Sequence, residues 1–302
     1  MITRDIAQFL RIARSLPADR PACAKALFLV APDGFALAAE SARDNRYMDP
    51  ARPVDVERAL AQHRGLQRSL SAVRPTICFA GDPATPDAVF PNNVFATAPG
   101  RLLIGRMRHP LRQREAGRAD IREFFTATLG YVLHDLREQP GVCELTGALV
   151  IDRAHGLGFC GLSARCDEAG AAAMHAAFDL RATLLFDLAP GEYHCNVVLS
   201  ALAGRALAVC PDGFADPAVP AALAELYATH TIVLDRAEHA AFAGNCLAVS
   251  TDAVWLSEAA TDALTTQSRR HFQQAGLVLH SVALDEIEKA GGSLRCCIGE
   301  IY

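Results

Sequence analysis

Gly291-Gly292-Ser293-Leu294-Arg295-Cys296-Cys297-Ile298-Gly299-Glu300 sets two thiols behind a pair of glycines. Glycine lets a backbone turn tightly or approach a ligand closely, and the charge of Arg295 would favour a thiolate nucleophile. The run also reads as a glycine loop entering a strand, where the two cysteines alternate faces and at most one enters a site. His194, in Glu192-Tyr193-His194-Cys195-Asn196, directly precedes an apolar strand and is the best-placed base. Its titration range suits proton transfer near neutral pH. His63, His134, His155 and His175 lie in helical or polar-turn contexts. Glu144 opens another apolar run, Cys143-Glu144-Leu145-Thr146-Gly147-Ala148. A carboxylate buried there must be paired, so it either orients the histidine of a nucleophile–base–orienter set or is a strand-end surface acid. Asn92 and Asn93, between Phe90-Pro91 and Val94-Phe95, fit a turn or amide contacts to a polar substrate equally well.

These residues need a scaffold of short strands. Runs of about four or five apolar residues bounded by turn formers recur: Ala26–Val30, Thr76–Phe79, Arg101–Ile104, Ala148–Ile151, Gly158–Cys160, Asn196–Ser200, Ala206–Cys210, Thr231–Leu234, Leu247–Ser250, Ala253–Leu256 and Leu277–Ser281. Helical periodicity predicts helices over Val54–Leu70, Ile121–Leu136, Asp167–Phe178, Pro217–His230 and Glu258–Ala275. No Ser/Gly-rich linker divides the chain, so a single strand-rich α/β domain is expected. No G-x-G-x-x-G follows a first strand, which argues against a nucleotide cofactor.

The 302 residues are 51% apolar with a net charge of -5, which offers no general field for nucleic acid or an anionic membrane. No apolar run approaches the roughly 18–20 residues that cross a bilayer, and Arg4, Asp5, Arg11 and Arg14 interrupt the first segment. A cytoplasmic protein is expected. The ten cysteines mostly sit singly in apolar segments, as small buried hydrophobes, and none has zinc-ligand spacing.

Taken together and in order, these motifs make the chain similar to the guanidino-group modifying (pentein) enzymes, which include arginine deiminases, dimethylarginine dimethylaminohydrolases and amidinotransferases. The resemblance runs from about Ala26 to Tyr302. It implies a five-bladed α/β propeller as one catalytic domain at 26–302, with residues 1–25 as an N-terminal helical extension. The resemblance selects Cys296 over Cys297 as nucleophile, His194 as acid/base and Glu144 as its acidic partner. Asn92 falls where relatives contact substrate, and Arg112 and Arg165 resemble the arginines that hold the amino-acid carboxylate, for which a planar guanidinium fork is suited.

The implied reaction is attack by Cys296 on the guanidino or ureido carbon of arginine, an N-modified arginine or citrulline. The covalent adduct is then hydrolysed without metal or organic cofactor. Amidino transfer to an amine, or a non-catalytic amino-acid-binding protein, are the alternatives. The partner is a small amino acid, and homo-oligomerisation is left open. Two departures stand out: Phe95-Ala96-Thr97-Ala98 lacks the carboxylate of a Phe-x-x-Asp pattern, and Glu144-Leu145-Thr146-Gly147 lacks the second acid of Glu-x-Gly-Asp. Fewer acids would shift the preference from a cationic guanidinium towards a neutral ureido group.

Overall fold

A four-residue apolar strand cannot stand alone, because its backbone donors and acceptors need partners. Here the strands assemble three at a time. The computed structural model describes residues 1–302 and contains five small sheets of one design. In chain order of their first strands, the triplets begin with Phe95–Ala98, Arg101–Ile104 and Val132–Asp135. Next come Leu149–Asp152, Leu157–Leu162 and Ala182–Asp187, then Leu199–Leu202, Ala206–Val209 and Thr231–Val233. The fourth is Leu247–Ala248, Ala253–Ser257 and Val278–Val282, and the last joins Gly299–Ile301 to Ala26–Val30 and Thr76–Phe79. In each triplet the first pair is antiparallel and the second parallel. A parallel pair needs a long crossover, and the helices supply it.

First strands of neighbouring sheets pack together: Gly299–Ile301 on Phe95–Ala98, and Leu199–Leu202 on both Leu149–Asp152 and Leu247–Ala248. The sheets are the blades of a five-bladed α/β propeller, with first strands innermost. The ring closes by joining Gly299–Ile301 to Ala26–Val30, so the segment bearing Cys296 is built into the seam.

The N-terminal residues form the helix Ile6–Ala13, capped by Asp5. Ile2–Thr3 pairs in parallel with Thr183–Leu184. Phe9 is fully buried, edge-on to Phe159 at 5.9 Å, a burial worth about 2–3 kcal/mol. Two expected helices are corrected. Over Ile121–Leu136, helix gives way to the strand Val132–Asp135, because pairing with Arg101–Ile104 outweighs helical periodicity. Glu258–Ala275 is two helices, Glu258–Ala263 and Thr266–Gln274, each with its own cap, Ser257 and Thr265. The strand expected over Asn196–Ser200 starts only at Leu199, after one helical turn, Cys195–Val198. Similar short turns, Pro91–Asn93, Leu145–Ala148 and Leu294–Cys297, lead into three other inner strands.

Candidate active site

Those entry turns decide where chemistry can occur. Each inner strand is buried, so polar side chains able to face a common space are those just before it. Glu144 and His194 immediately precede Leu145–Ala148 and Cys195–Val198, and Cys296 lies within Leu294–Cys297. All three are at most 1% exposed.

His194 Nε2 lies 2.8 Å from Glu144 Oε2. Glu144 also receives Arg165 Nη1 at 3.2 Å and the backbone N–H of Arg108 at 3.1 Å. Burial would push this carboxyl up, but Arg165 and His194 outweigh it and hold Glu144 well below the usual carboxylate range. Burial pulls the His194 imidazole down, against the opposing pull of Glu144. With the Nε2 proton directed at Glu144, Nδ1 is the basic nitrogen, and it has no protein partner. Gly147 allows this geometry: a Cβ there would lie 2.5 Å from Asn93 Oδ1 and 2.7 Å from the His194 ring.

Cys296 borders a small cavity of about 20 Å³, room for about one water. Asp87, Asn93, Arg112, Tyr193 and Asn45 share its wall. Burial pushes the thiol up, while Asn245, within hydrogen-bonding reach, pulls it down. Cys297 is fully buried in the apolar core. Gly291, at φ 73°, turns the chain before this segment, and its carbonyl accepts the Tyr193 hydroxyl.

The structure redistributes several expected contacts. Asn93, not Asn92, lines the cavity; the Asn92 amide is buried without partners and its carbonyl accepts Thr146 Oγ1 at 3.0 Å. Arg112 lines the cavity; its Nη2 donates to the Phe90 carbonyl at 2.8 Å, and its Nε lies 3.0 Å from Glu115 Oε1 without hydrogen-bonding geometry. Arg165 is otherwise occupied. Its Nε and Nη2 fork onto Asp44 Oδ1 at 3.0 and 2.5 Å, and Nη1 holds Glu144. A guanidinium already shared by two carboxylates has no fork left for a substrate carboxylate, so Arg165 sits as the counter-ion of Glu144.

The two motif acids are absent, but the cavity wall carries a carboxylate from elsewhere. Thr97 Oγ1 donates to the Glu300 carbonyl at 2.8 Å, and Asp87 supplies a carboxylate in the cavity wall. It is 2% exposed; Oδ2 accepts from Ser41 at 2.5 Å, and Oδ1 has no partner. Burial pushes this carboxyl up, against the pull of Arg112. Pro86-Asp87 looks like a turn in the sequence, and only its packing beside Phe90 and Cys296 marks it.

The profile of the family described as N,N dimethylarginine dimethylhydrolase, eukaryotic, matches residues 31–302. The chain is 27% identical over 291 residues to the N(G),N(G)-dimethylarginine dimethylaminohydrolase of Mycobacterium tuberculosis, covering 95% of this chain and 89% of that enzyme. The N-terminal domain of ArgZ, an arginine dihydrolase from the ornithine–ammonia cycle in cyanobacteria, superposes with a TM-score of 0.79 at 19% identity, covering 91% of this chain and 97% of that one. A dimethylarginine dimethylaminohydrolase adduct with S-methyl-L-thiocitrulline has a TM-score of 0.70 at 19% identity, over 92% of this chain and 99% of that one. These likenesses support the five-bladed fold independently of the strand pattern.

Proposed function

Because the chain belongs to the N,N dimethylarginine dimethylhydrolase family, and so to the cysteine-dependent hydrolases of arginine-type guanidino groups, we propose that it cleaves the guanidino C–N bond of free or Nω-methylated arginine to give citrulline. The observation that carries this is that the Cys296 thiol and the unpartnered Asp87 oxygen line one small cavity. A buried oxygen without a donor calls for one, and a guanidinium N–H supplies both the hydrogen bond and the charge. A ureido substrate brings only the first.

In this reading Cys296 Sγ attacks the guanidino carbon, and the thiol proton passes to His194 Nδ1. The cationic substrate favours the thiolate at the moment it is needed, offsetting the burial that keeps the resting thiol protonated. His194 returns the proton to the departing nitrogen as the C–N bond breaks, leaving an S-alkylthiouronium on Cys296. Water attacks that carbon, gives a proton to His194, and the C–S bond breaks to release citrulline and thiol. Glu144, kept ionised by Arg165, steadies the imidazolium in both half-reactions. Arg112, whose Nη1 makes no hydrogen bond within the protein, anchors the α-carboxylate. Ten free thiols suit a reducing, cytosolic compartment.

Turnover of arginine, asymmetric dimethylarginine and citrulline, followed by mass spectrometry of citrulline, ornithine and released amine, tests the proposal. Citrulline with one equivalent of ammonia or dimethylamine is expected. Ornithine from citrulline, with no reaction of either arginine, would contradict it.

A further inference from the structure

Asn93, Glu144, His194, Asn245 and Cys296 follow one another at intervals of 50 or 51 residues. Each stands just ahead of, or within, the turn that enters the inner strand of a different blade. The five blades therefore bring five equivalent positions to one end of the propeller. The mechanism above uses three of them and places a fourth in the pocket wall. The fifth, Asn245, two residues before Leu247–Ala248, is 1% exposed and has no role yet.

The Asn245 amide can sit only one way round. The backbone N–H of Arg295 donates to Oδ1 at 3.0 Å, so that atom must be the oxygen. The Asn196 carbonyl accepts from Nδ2 at 2.7 Å, so that atom must be the nitrogen. An amide nitrogen has two N–H bonds, and the second reaches Cys296 Sγ, 3.4 Å away. Asn196 presents a softer contact, with Nδ2 and Oδ1 at 3.7 and 3.8 Å from the same sulfur. Asn245 is further tied by its own N–H to the carbonyl of Phe242 at 2.8 Å, and Phe242 has a φ of 63°. A bulky residue in the left-handed region is strained, and such strain persists where surrounding structure enforces it.

Building on Cys296 as nucleophile, we propose that Asn245 is a further catalytic residue, whose second N–H stabilises the Cys296 thiolate and holds Sγ in position for attack. A purely structural asparagine would need only the links to Arg295 and Asn196. The third contact goes to the reacting atom. Hydrogen bonds to charged groups contribute enough to alter a rate by about 10- to 100-fold.

The test is the pH dependence of iodoacetamide alkylation, resolved by peptide mass spectrometry, with half-buried Cys23 as the internal reference. Asn245→Asp keeps an oxygen for the Arg295 N–H and removes the donor to sulfur. Its Cys296 midpoint should rise by about one pH unit or more while Cys23 is unchanged, with kcat reduced about 10- to 100-fold and KM little altered. A cooperatively folding Asn245→Asp protein with the wild-type Cys296 midpoint would overturn the proposal. If that variant does not fold, the intact protein decides by NMR. The Asn245 side-chain amide should titrate with the Cys296 midpoint and lose that transition in Cys296→Ser, and a flat response overturns the proposal. Turnover surviving in Cys296→Ser would instead reject the nucleophile, an outcome separate from any result at Asn245.

Discussion

One unpaired carboxylate oxygen carries much of the proposed substrate preference. Asp87 Oδ1 is buried beside Cys296 without a donor, so Asp87→Asn should cost little in folding and much in binding a cation. A lost charge-assisted hydrogen bond predicts a fall of about 10- to 100-fold in kcat/KM for arginine, with a smaller change for citrulline; steady-state kinetics on both substrates check it. Equal loss on both would mean Asp87 does not read charge. At this scale the sequence is informative where chemistry and strand pattern coincide. His194 and Glu144 are legible as polar residues at the mouths of apolar runs, and Cys296 behind its glycines. Asp87 is not, and the Asn92-Asn93 pair does not say which amide faces the cavity, because the Pro86–Asn93 stretch is two short helical turns whose facing depends on packing. Arg165 is misread for a physical reason: its partners Asp44 and Glu144 are distant in sequence, and a guanidinium carries no local sign of whether its fork is occupied.

Elements position the base through one glycine. Leu145–Ala148 passes so close to the His194 ring that Gly147→Ala would place a methyl 2.7 Å from it and 2.5 Å from Asn93 Oδ1. The ring or the turn must shift. Displacing a catalytic group by about an ångström can cost 10²-fold, so kcat should fall by about 100-fold while circular dichroism and cooperative unfolding are retained. Near-wild-type kcat would show that the imidazole is not held there. The middle strands, such as Ala26–Val30 and Ala206–Val209, are legible because they are buried apolar runs bounded by turn residues. The entry turns are not, because Cys195-Asn196-Val197-Val198 has strand-like composition and becomes helical only through the blade it serves. The period of about 50 residues is present in the chain as a self-similar polar-then-apolar signal, and it is the cue that would have located Asn245.

The whole propeller couples its site to acid stability. His63 and His239, like His194, are buried imidazoles pulled down by desolvation, the first two to about 4 from 6.5. A folded-state value below the unfolded one gives stability that is present above pH 6.5 and lost as pH falls through the window to about 4. His63 and His239 each contribute about 3 kcal/mol over that range. Glu144, also lowered, adds a loss that begins below its ordinary value of 4.5. Between pH 6.5 and 4, the His63→Asn protein should therefore lose less stability in urea titrations than the wild type does; equal losses would contradict a neutral, buried His63. The small cavity at Cys296 shares Asn45 and Tyr193 with an outer groove of about 500 Å³. The proposed reaction turns on one sulfur, that of Cys296. Acid-quenched turnover of arginine, followed by fragmentation of the peptide spanning Cys296 and Cys297, tests that role most directly. A thiouronium adduct on Cys296, forming and decaying at the rate of turnover and absent in Cys296→Ser, is expected. An adduct on Cys297, or full turnover by the Cys296→Ser protein, would contradict it.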